Sequence, residues 1–415
     1  MLKLCLKKWA FVFILIPASL VIGIRTSILF FHLLFWFLAV FVAVNLLWVT
    51  IGYFGARLQI TRRLAGKIEE GGILEIETSV RNNGFLLFFN LALEDNLACA
   101  DDGERSKLLL INYLGFKSCA NLKYKCCCYL RGKYQIGPVN IFFFDPFGMF
   151  FFKKTYPMYS ELYVYPETFY IRKFPNLVKG ALPWFGIETA RVSGDDDEFF
   201  GIREYKSGDP IKRIHWPSTA RNNKLIVKQF QRQSYSKATI IFSLDKDKNF
   251  GYGKEKVAEY IIKIAASIAK YLLSQGIDIS LQFIVHSGEI VHIPFNKGDE
   301  HLDDVLRFLT TAKAESRVSL AEIFEEFAGD IPSDSTLIAL LTDTDWDLLS
   351  SLPLLEARNI SVIPLVILSY TFLFPFDKQK IVREAGVRIA SVVNKKPILF
   401  SQGDNLGEIF SNINY

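Results

Sequence analysis

Residues 238–245 read ATIIFSLD. Apart from Thr239 and Ser243, the run before Asp245 is continuously apolar and rich in β-branched side chains, as expected of a strand buried on both faces. The period then changes. Val257, Tyr260, Ile261, Ile264, Ala265, Ile268 and Tyr271 recur three and four apart, the spacing of a helix with one apolar face, and Gly276 supplies the residue that ends it. Further apolar runs lie at 277–285, 337–342, 361–368 and 387–393, with helical stretches around 302–311, 320–328 and 345–358. Alternating β and α predicts a doubly wound α/β domain with a parallel sheet over residues 237–415. Such sheets bind ligands outside the carboxyl ends of their strands, where the strand order reverses. Asp245 and Asp343 each follow a strand run. They are therefore predicted to face one site, where hard carboxylate oxygens suit Mg²⁺.

Immediately upstream, residues 194–230 read GDDDEFFGIREYKSGDPIKRIHWPSTARNNKLIVKQF. An acidic cluster at 195–198 gives way to a basic stretch. From Ile202 to Arg232 eight Lys and Arg face two carboxylates, Glu204 and Asp209, a local balance of +6. Three readings compete. A nucleic-acid patch needs aromatics interleaved with cations for stacking, and only Tyr205 and Trp216 are available, so no nucleic acid is expected. Catalysis would set Asp209 to orient His215, with Arg213 nearby, but no nucleophile is apparent beside them. The third reading pairs Arg203, Arg213 and Arg221 with Asp209, Glu204 and the acidic cluster, since Arg–carboxylate forks fix geometry well. The motif is then a structural or partner-docking element.

The motif Arg203-Glu204-Tyr205, Gly208-Asp209, Arg213, Ile214-His215-Trp216, Ala220-Arg221 and Leu225-Ile226-Val227-Lys228 resembles the bacterial "domain of unknown function 58" family. So does the upstream RGKYQIGP…DPFGMF, and the likeness runs from the apolar N-terminal segment to the C-terminus. It implies a membrane-anchored protein with a β-sandwich and a von Willebrand factor A-like domain, often encoded beside MoxR-type AAA+ ATPases. The metal motif of A-like domains is Asp-x-Ser-x-Ser with a distant Thr and Asp. Here the first Asp is Asp245, the two Ser positions hold Asp247 and Asn249, and Asp343 matches the distant Asp. Ser316 and Ser319 are the nearest hydroxyls to the Thr position, and two Lys stand inside the loop. The resemblance thus leaves two alternatives, a Mg²⁺ site at Asp245, Asp247, Asn249 and Asp343, or a vestige in which Asp245 caps a neighbouring turn.

Residues 58–168 carry short alternating runs with turn signals at 71–72, 82–84, 101–103 and 137–138, the pattern of an Ig-like β-sandwich. In ILEIETSVRN, residues 73–82, Leu74, Ile76, Thr78 and Val80 share one face. Asp145-Pro146-Phe147-Gly148 is a turn between apolar flanks, read as an edge hairpin in preference to an aromatic docking surface. Six cysteines, three of them adjacent at 126–128, lack zinc spacing and read as reduced packing residues.

The N-terminal 57 residues hold two uncharged runs, Trp9–Ile24 and Ile28–Trp48, joined near Arg25. The second is long enough to cross the hydrocarbon directly and the first nearly so. Together they predict a transmembrane helical hairpin. Lys3, Lys7 and Lys8 precede it and Arg57, Arg62 and Arg63 follow it, which puts both termini and the soluble domains on the cytoplasmic side of the bacterial inner membrane. A cleaved signal peptide is disfavoured because no small-x-small site precedes the second run. The expected organisation is therefore a hairpin at 1–57, a β-sandwich at 58–168, a basic linker at 169–236 and an α/β domain at 237–415. The expected role is a non-enzymatic scaffold or adaptor for a protein partner such as a MoxR-type ATPase. The alternative is an enzyme using Asp209, His215 and Arg213 between domains.

Overall fold

The structure, a computed structural model, describes residues 2–4, 6–175, 177, 197–206, 209, 211–232, 237–284, 290–315, 317, 319–333, 335–345, 355, 358, 360–373 and 397–411. Two compact units emerge, Met1–Glu167 with Leu309–Thr311, and Thr168–Phe308 with Ala312–Tyr415.

In the first unit, strand β1 (Leu2–Leu4) leads into helices α1 (Leu6–Thr26) and α2 (Leu29–Gly55). Both helices are long and apolar enough to cross a membrane. Their polar side chains turn back on their own helix: Ser19 donates to the Ile16 carbonyl at 2.8 Å, Asn45 to Phe41 at 2.7 Å and Thr50 to Leu46 at 2.7 Å. That is how a polar group is satisfied where water is absent.

A β-rich body follows, formed by β2 (Leu58–Leu64), β3 (Ile68–Glu69), β4 (Ile73–Asn82), β5 (Phe88–Asn96), β6 (Ser106–Leu114), β7 (Cys119–Cys127), β8 (Gly132–Ile136), β9 (Val139–Phe144), β10 (Phe150–Tyr156) and β11 (Ser160–Tyr165). They make three sheets, ordered β1-β10-β9-β5-β6, β2-β4-β7 and β3-β11-β8. Strand β4 buries Leu74, Ile76, Thr78 and Val80 on alternate positions, the expected face. Cys126 and Cys128 are buried and Cys127 is exposed, and none of the five described cysteines is bridged. A charged group lies inside this body. The side chain of Arg62, expected as a membrane-flanking cation, is buried against Asp95. Its guanidinium also donates to the Ile136 carbonyl at 2.9 Å. The other Asp95 oxygen accepts from the Tyr124 hydroxyl.

In the second unit, β12 (Asp197–Glu204) and β13 (Ile226–Arg232) form an antiparallel ribbon around the short helix α3 (Trp216–Asn222). Next come β14 (Lys237–Phe242), the two-residue strands β15 (Gly251–Tyr252) and β16 (Glu255–Lys256), and α4 (Val257–Ser274). The chain continues through β17 (Asp278–Ile284), β18 (Ile290–Asn296), α5 (Asp299–Thr311), α6 (Leu320–Phe327), β19 (Thr336–Thr342), β20 (Ser361–Ile367), β21 (Ile398–Phe400) and α7 (Leu406–Ser411). The six-stranded sheet runs β18-β17-β14-β19-β20-β21. Every neighbouring pair is parallel except β17–β18, so the sheet is mixed where an all-parallel one was expected. Strand β18 has no continuous apolar run because it is an edge, and among its described hydrophobic side chains Ile293 is the buried one. The strand expected at 387–393 lies outside the described residues. The core cluster on one face joins Leu320, Ile323 and Phe324 of α6 to Leu337, Ala339 and Leu341 of β19 and Val362 and Val366 of β20.

Candidate functional site

The basic motif is built on the β12–β13 ribbon. Arg203 at the end of β12 forms a fork with Asp209, Nη1 to Oδ2 at 2.7 Å and Nη2 to Oδ1 at 2.6 Å. The Lys206 backbone N–H donates to the same carboxylate at 2.8 Å, closing the loop between them. The Arg203 fork, then the Lys206 N–H, hold the Asp209 carboxyl below the usual carboxylate range. Beside it, exposed Glu204 and Lys224 pair at 2.8 Å.

The chain returns through a one-turn helix at Ile211–Arg213. Ile214 is buried and bridges to Val227, and the His215 N–H donates to the Ile226 carbonyl at 2.8 Å. Helix α3 then starts with Pro217 in its first turn, where the missing N–H costs nothing. It stops at Asn223, whose φ of 49° is left-handed. The Thr219 hydroxyl accepts from the Ile226 N–H at 3.0 Å, tying the helix to the ribbon. What this frame leaves outside is apolar and basic: Trp216 is 62% exposed and Ile211 71%, and Lys212 and Arg221 are exposed too. Tyr205 is half-buried and continues the ladder to Leu225 at 2.8 Å. Gly208 and the side chain of Arg213 lie outside the described residues.

His215 does not pair with Asp209. Its Nδ1 lies 2.7 Å from the Ser218 hydroxyl, so the predicted dyad is replaced by a His–Ser contact across the first turn of α3. This hydroxyl is not among the residues expected beside His215. The i,i+3 spacing was the available signal, because a helix brings those positions together.

The second locus is the carboxyl end of the α/β sheet, where the order reverses between β14 and β19. Asp245 caps a one-turn helix at Lys246–Lys248 by accepting the Asp247 N–H at 2.9 Å. Asn249 accepts the Ala258 N–H at 3.0 Å, in the first turn of α4. Asp343 accepts the Ser369 N–H at 3.0 Å and the Ser369 hydroxyl. Burial pushes its carboxyl above the usual range against those two bonds. Asp247 is exposed and 3.7 Å from Arg317. The four predicted Mg²⁺ ligands therefore do not converge, and among the described residues no three His, Cys, Asp or Glu side chains form a metal shell. The cation near this switch point is an ammonium. Lys248 Nζ contacts Asp345 and sits 4.0 Å from Asp245. Asp345 also accepts the Thr342 N–H and hydroxyl, both at 2.7 Å. The residues present do not fit a divalent ion, because Asp245, Asn249 and Asp343 are engaged by protein N–H and O–H groups, Lys248 stands beside Asp245, and Asp247 turns to Arg317 at the surface. Lys248 is one of the two Lys inside the loop, and its partner Asp345 has no role assigned from the sequence.

Residues 201–365 match the family described as "Protein of unknown function DUF58". A curated relative, "Uncharacterized protein YeaD" of Bacillus subtilis (strain 168), is 23% identical over 230 residues, 55% of this chain and 54% of that protein. The chain thus spans about half the length of the curated relative it matches. Among solved structures, the CARDB domain of the PF1109 protein from Pyrococcus furiosus is 14% identical with a TM-score of 0.19, covering 26% of this chain and 88% of that one. The putative ApaA protein from Bordetella pertussis is 10% identical with a TM-score of 0.18, covering 26% and 91%.

Proposed function

From a chain whose residues 201–365 are a segment of the DUF58 family, we propose a membrane-anchored scaffold that binds a protein partner through the surface of its basic motif. One observation carries this reading. The motif's candidate catalytic groups are committed locally, Asp209 to Arg203 and Lys206, His215 to Ser218, while Trp216, Ile211 and Arg221 stay exposed on a hydrogen-bonded frame. Exposed Trp and Arg are the residues that most often dominate binding energy. The two N-terminal helices anchor the chain, and their basic flanks support a cytoplasmic placement of both termini and the soluble units. The strand order of the α/β sheet, with its antiparallel third strand, supports a von Willebrand factor A-like reading. The two apolar clusters of the β-rich body support an Ig-like sandwich. No cofactor is required. A MoxR-type AAA+ ATPase is the partner the family resemblance suggests.

The test is capture by the full-length protein in detergent, using a purified MoxR-type ATPase and native membrane extract. Trp216→Ala and Arg221→Glu should each weaken binding at least about tenfold, the scale of a central interface residue. Recovery of no specific partner by the unaltered protein overturns the proposal. The enzymatic alternative now turns on His215 and Ser218. Labelling of Ser218 by a fluorophosphonate, lost in His215→Ala, would establish it in place of the scaffold.

A further inference from the structure

The segment IFFFDPFGMFFF, residues 141–152, is the most aromatic stretch of the β-rich body, and neither the motif nor the α/β sheet uses it. It forms the β9–β10 hairpin, with Phe151 opposite Phe144 and Lys153 opposite Phe142. One face is core, where Ile141, Phe143 and Phe150 are buried. The other face carries half-buried Phe142, Phe144 and Phe151. The hairpin lies against the apolar helices. Tyr53 meets Phe152 with ring centroids 4.9 Å apart, Phe13 meets Phe150 at 6.2 Å, and Val49 packs with Met149 and Phe150. At the tip, Phe147 is 56% exposed and its ring is 4.9 Å from that of Phe41.

Phe41 sets the depth. Helix α2 has 27 residues, about 40 Å at 1.5 Å per residue. The hydrocarbon core is about 30 Å thick, or about 20 residues. If all the surplus lies at the end nearer the β-rich body, the boundary falls near Trp48, and Phe41 is still about 10 Å inside it. Any other placement moves Phe41 farther from the boundary on the side of the β-rich body and keeps it within the hydrocarbon. A turn touching Phe41 is therefore below the membrane surface.

Its polar groups are arranged for that. Asp145 is fully buried, and its carboxylate accepts the N–H groups of Phe147 at 3.0 Å and Phe150 at 2.7 Å. Its backbone carbonyl accepts the Gly148 N–H at 3.1 Å, and its own N–H reaches the Phe150 carbonyl at 3.3 Å. Pro146 has no N–H to satisfy. Gly148, at φ 70°, takes the left-handed conformation the turn requires. The outer edge of β10 is paired with β1, Leu2–Leu4 against Phe150–Phe152, so these three residues expose no open strand edge. Backbone can sit in lipid only when paired in this way. At the opposite end Lys153 is exposed and bonded to Glu94, so polarity rises along the hairpin from tip to base.

We propose that the β9–β10 hairpin is a third membrane element, with the Asp145–Met149 tip among the lipid acyl chains and Phe142, Phe151 and Phe152 at the interface. The proposal rests on the two helices being membrane spans, and its ligand is the acyl chain. It makes the anchor a rigid joint, because the β-rich body is held to the bilayer by the hairpin as well as by the chain after Gly55.

The test uses the full-length chain in vesicles of phosphatidylethanolamine and phosphatidylglycerol, with p-benzoylphenylalanine at one site and irradiation followed by mass spectrometry. Phe37, 67% exposed on α2, and Tyr252, 91% exposed in the second unit, are the controls. The expected result is lipid adducts for Phe147→p-benzoylphenylalanine in yield comparable to Phe37, and none for Tyr252. Adducts at Phe37 but not Phe147 overturn the hairpin proposal and leave the membrane anchor standing. Adducts at neither overturn both.

Discussion

The molecule uses the same ion pair twice and to different ends. In the β-rich body Arg62 and Asp95 are buried completely, with Tyr124 on the second carboxylate oxygen. In the basic motif Arg203 and Asp209 make a two-point fork with side chains 35% and 15% exposed. The carboxyls respond in opposite directions. Burial pushes Asp95 above the usual range, opposed by Tyr124 and Arg62, whereas the fork to Arg203 and the Lys206 N–H hold Asp209 below it. A charge pair taken out of water barely recovers its desolvation cost, while a partly wet one keeps its attraction at little expense. The first pair locks sheets whose partners are distant in sequence. The second shapes a surface loop.

Breaking the buried pair is expected to have the largest effect. Asp95→Ala leaves the Arg62 charge without its counter-ion and should cost about 3–5 kcal/mol, measured by urea unfolding of the full chain in detergent. The triple change Arg62→Met, Asp95→Leu and Tyr124→Phe should be neutral to stabilising, because it removes both charges together. The pH dependence follows from the direction of the shift. A carboxyl raised on folding contributes stability that is complete below its unfolded value and lost as pH rises through the folded one. Asp95→Asn should therefore flatten that limb of the stability curve.

Lys248 and Asp345 make an intermediate case, with side chains 23% and 6% exposed. Lys248→Ala strands the Asp345 carboxylate and should cost about 1–3 kcal/mol in thermal unfolding. Millimolar Mg²⁺ should leave the unaltered chain's melting temperature in place. A shift on adding Mg²⁺ would reverse the conclusion that the ammonium stands where an ion would.

Arg203→Lys sharpens the comparison from the other side. The charge stays and the planar fork goes, so stability should fall by less than about 1 kcal/mol while capture of the partner weakens. Because the Asp209 carboxyl is lowered on folding, its contribution is present above the unfolded value and lost as pH falls through the folded one. Protection of the Lys206 N–H, which bonds that carboxylate, against hydrogen exchange, taken relative to its intrinsic rate at each pH, should fall over that acid range in the unaltered chain. In Asp209→Asn that protection should be low throughout.

What the sequence disclosed divides along the same line. Helices α1 and α2 were legible as uncharged apolar runs of membrane-crossing length, and strands β14, β19 and β20 because burial on both faces writes a nearly unbroken apolar run. The alternation of β4 was legible because one face is buried. Arg203 and Asp209 were legible only as members of a local group of three Arg and the nearby carboxylates, and the structure selects this pair from it. Arg62–Asp95 was not, since its partners are 33 residues apart and no local period connects them. Strands β18 and β21 were missed, one an edge and the other three residues long. The Mg²⁺ ligands were drawn from one-dimensional spacing, which places Asp245 and Asp343 after adjacent strands but says nothing of where each carboxylate turns. Lys248 stood in the same loop as a bare charge until its three-residue separation from Asp245 became one turn of helix.

The smallest effect belongs to Glu204 and Lys224. They bridge the ribbon beside Arg203, yet their side chains are 69% and 66% exposed. Lys224 is raised first by its hydrogen bond to Glu204. In water-accessible surroundings that attraction is screened by salt and offset by ordering two long side chains. Glu204→Gln, Lys224→Ala and the double change should all melt with the unaltered chain at physiological salt. A measurable coupling between the two sites in that cycle would mean that the ribbon surface excludes water more than these exposures imply. The contrast with Asp95 would then be one of degree. No coupling, together with weakened partner capture in Lys224→Ala, would place the worth of this pair in binding, where a rim charge sets association rate more than affinity.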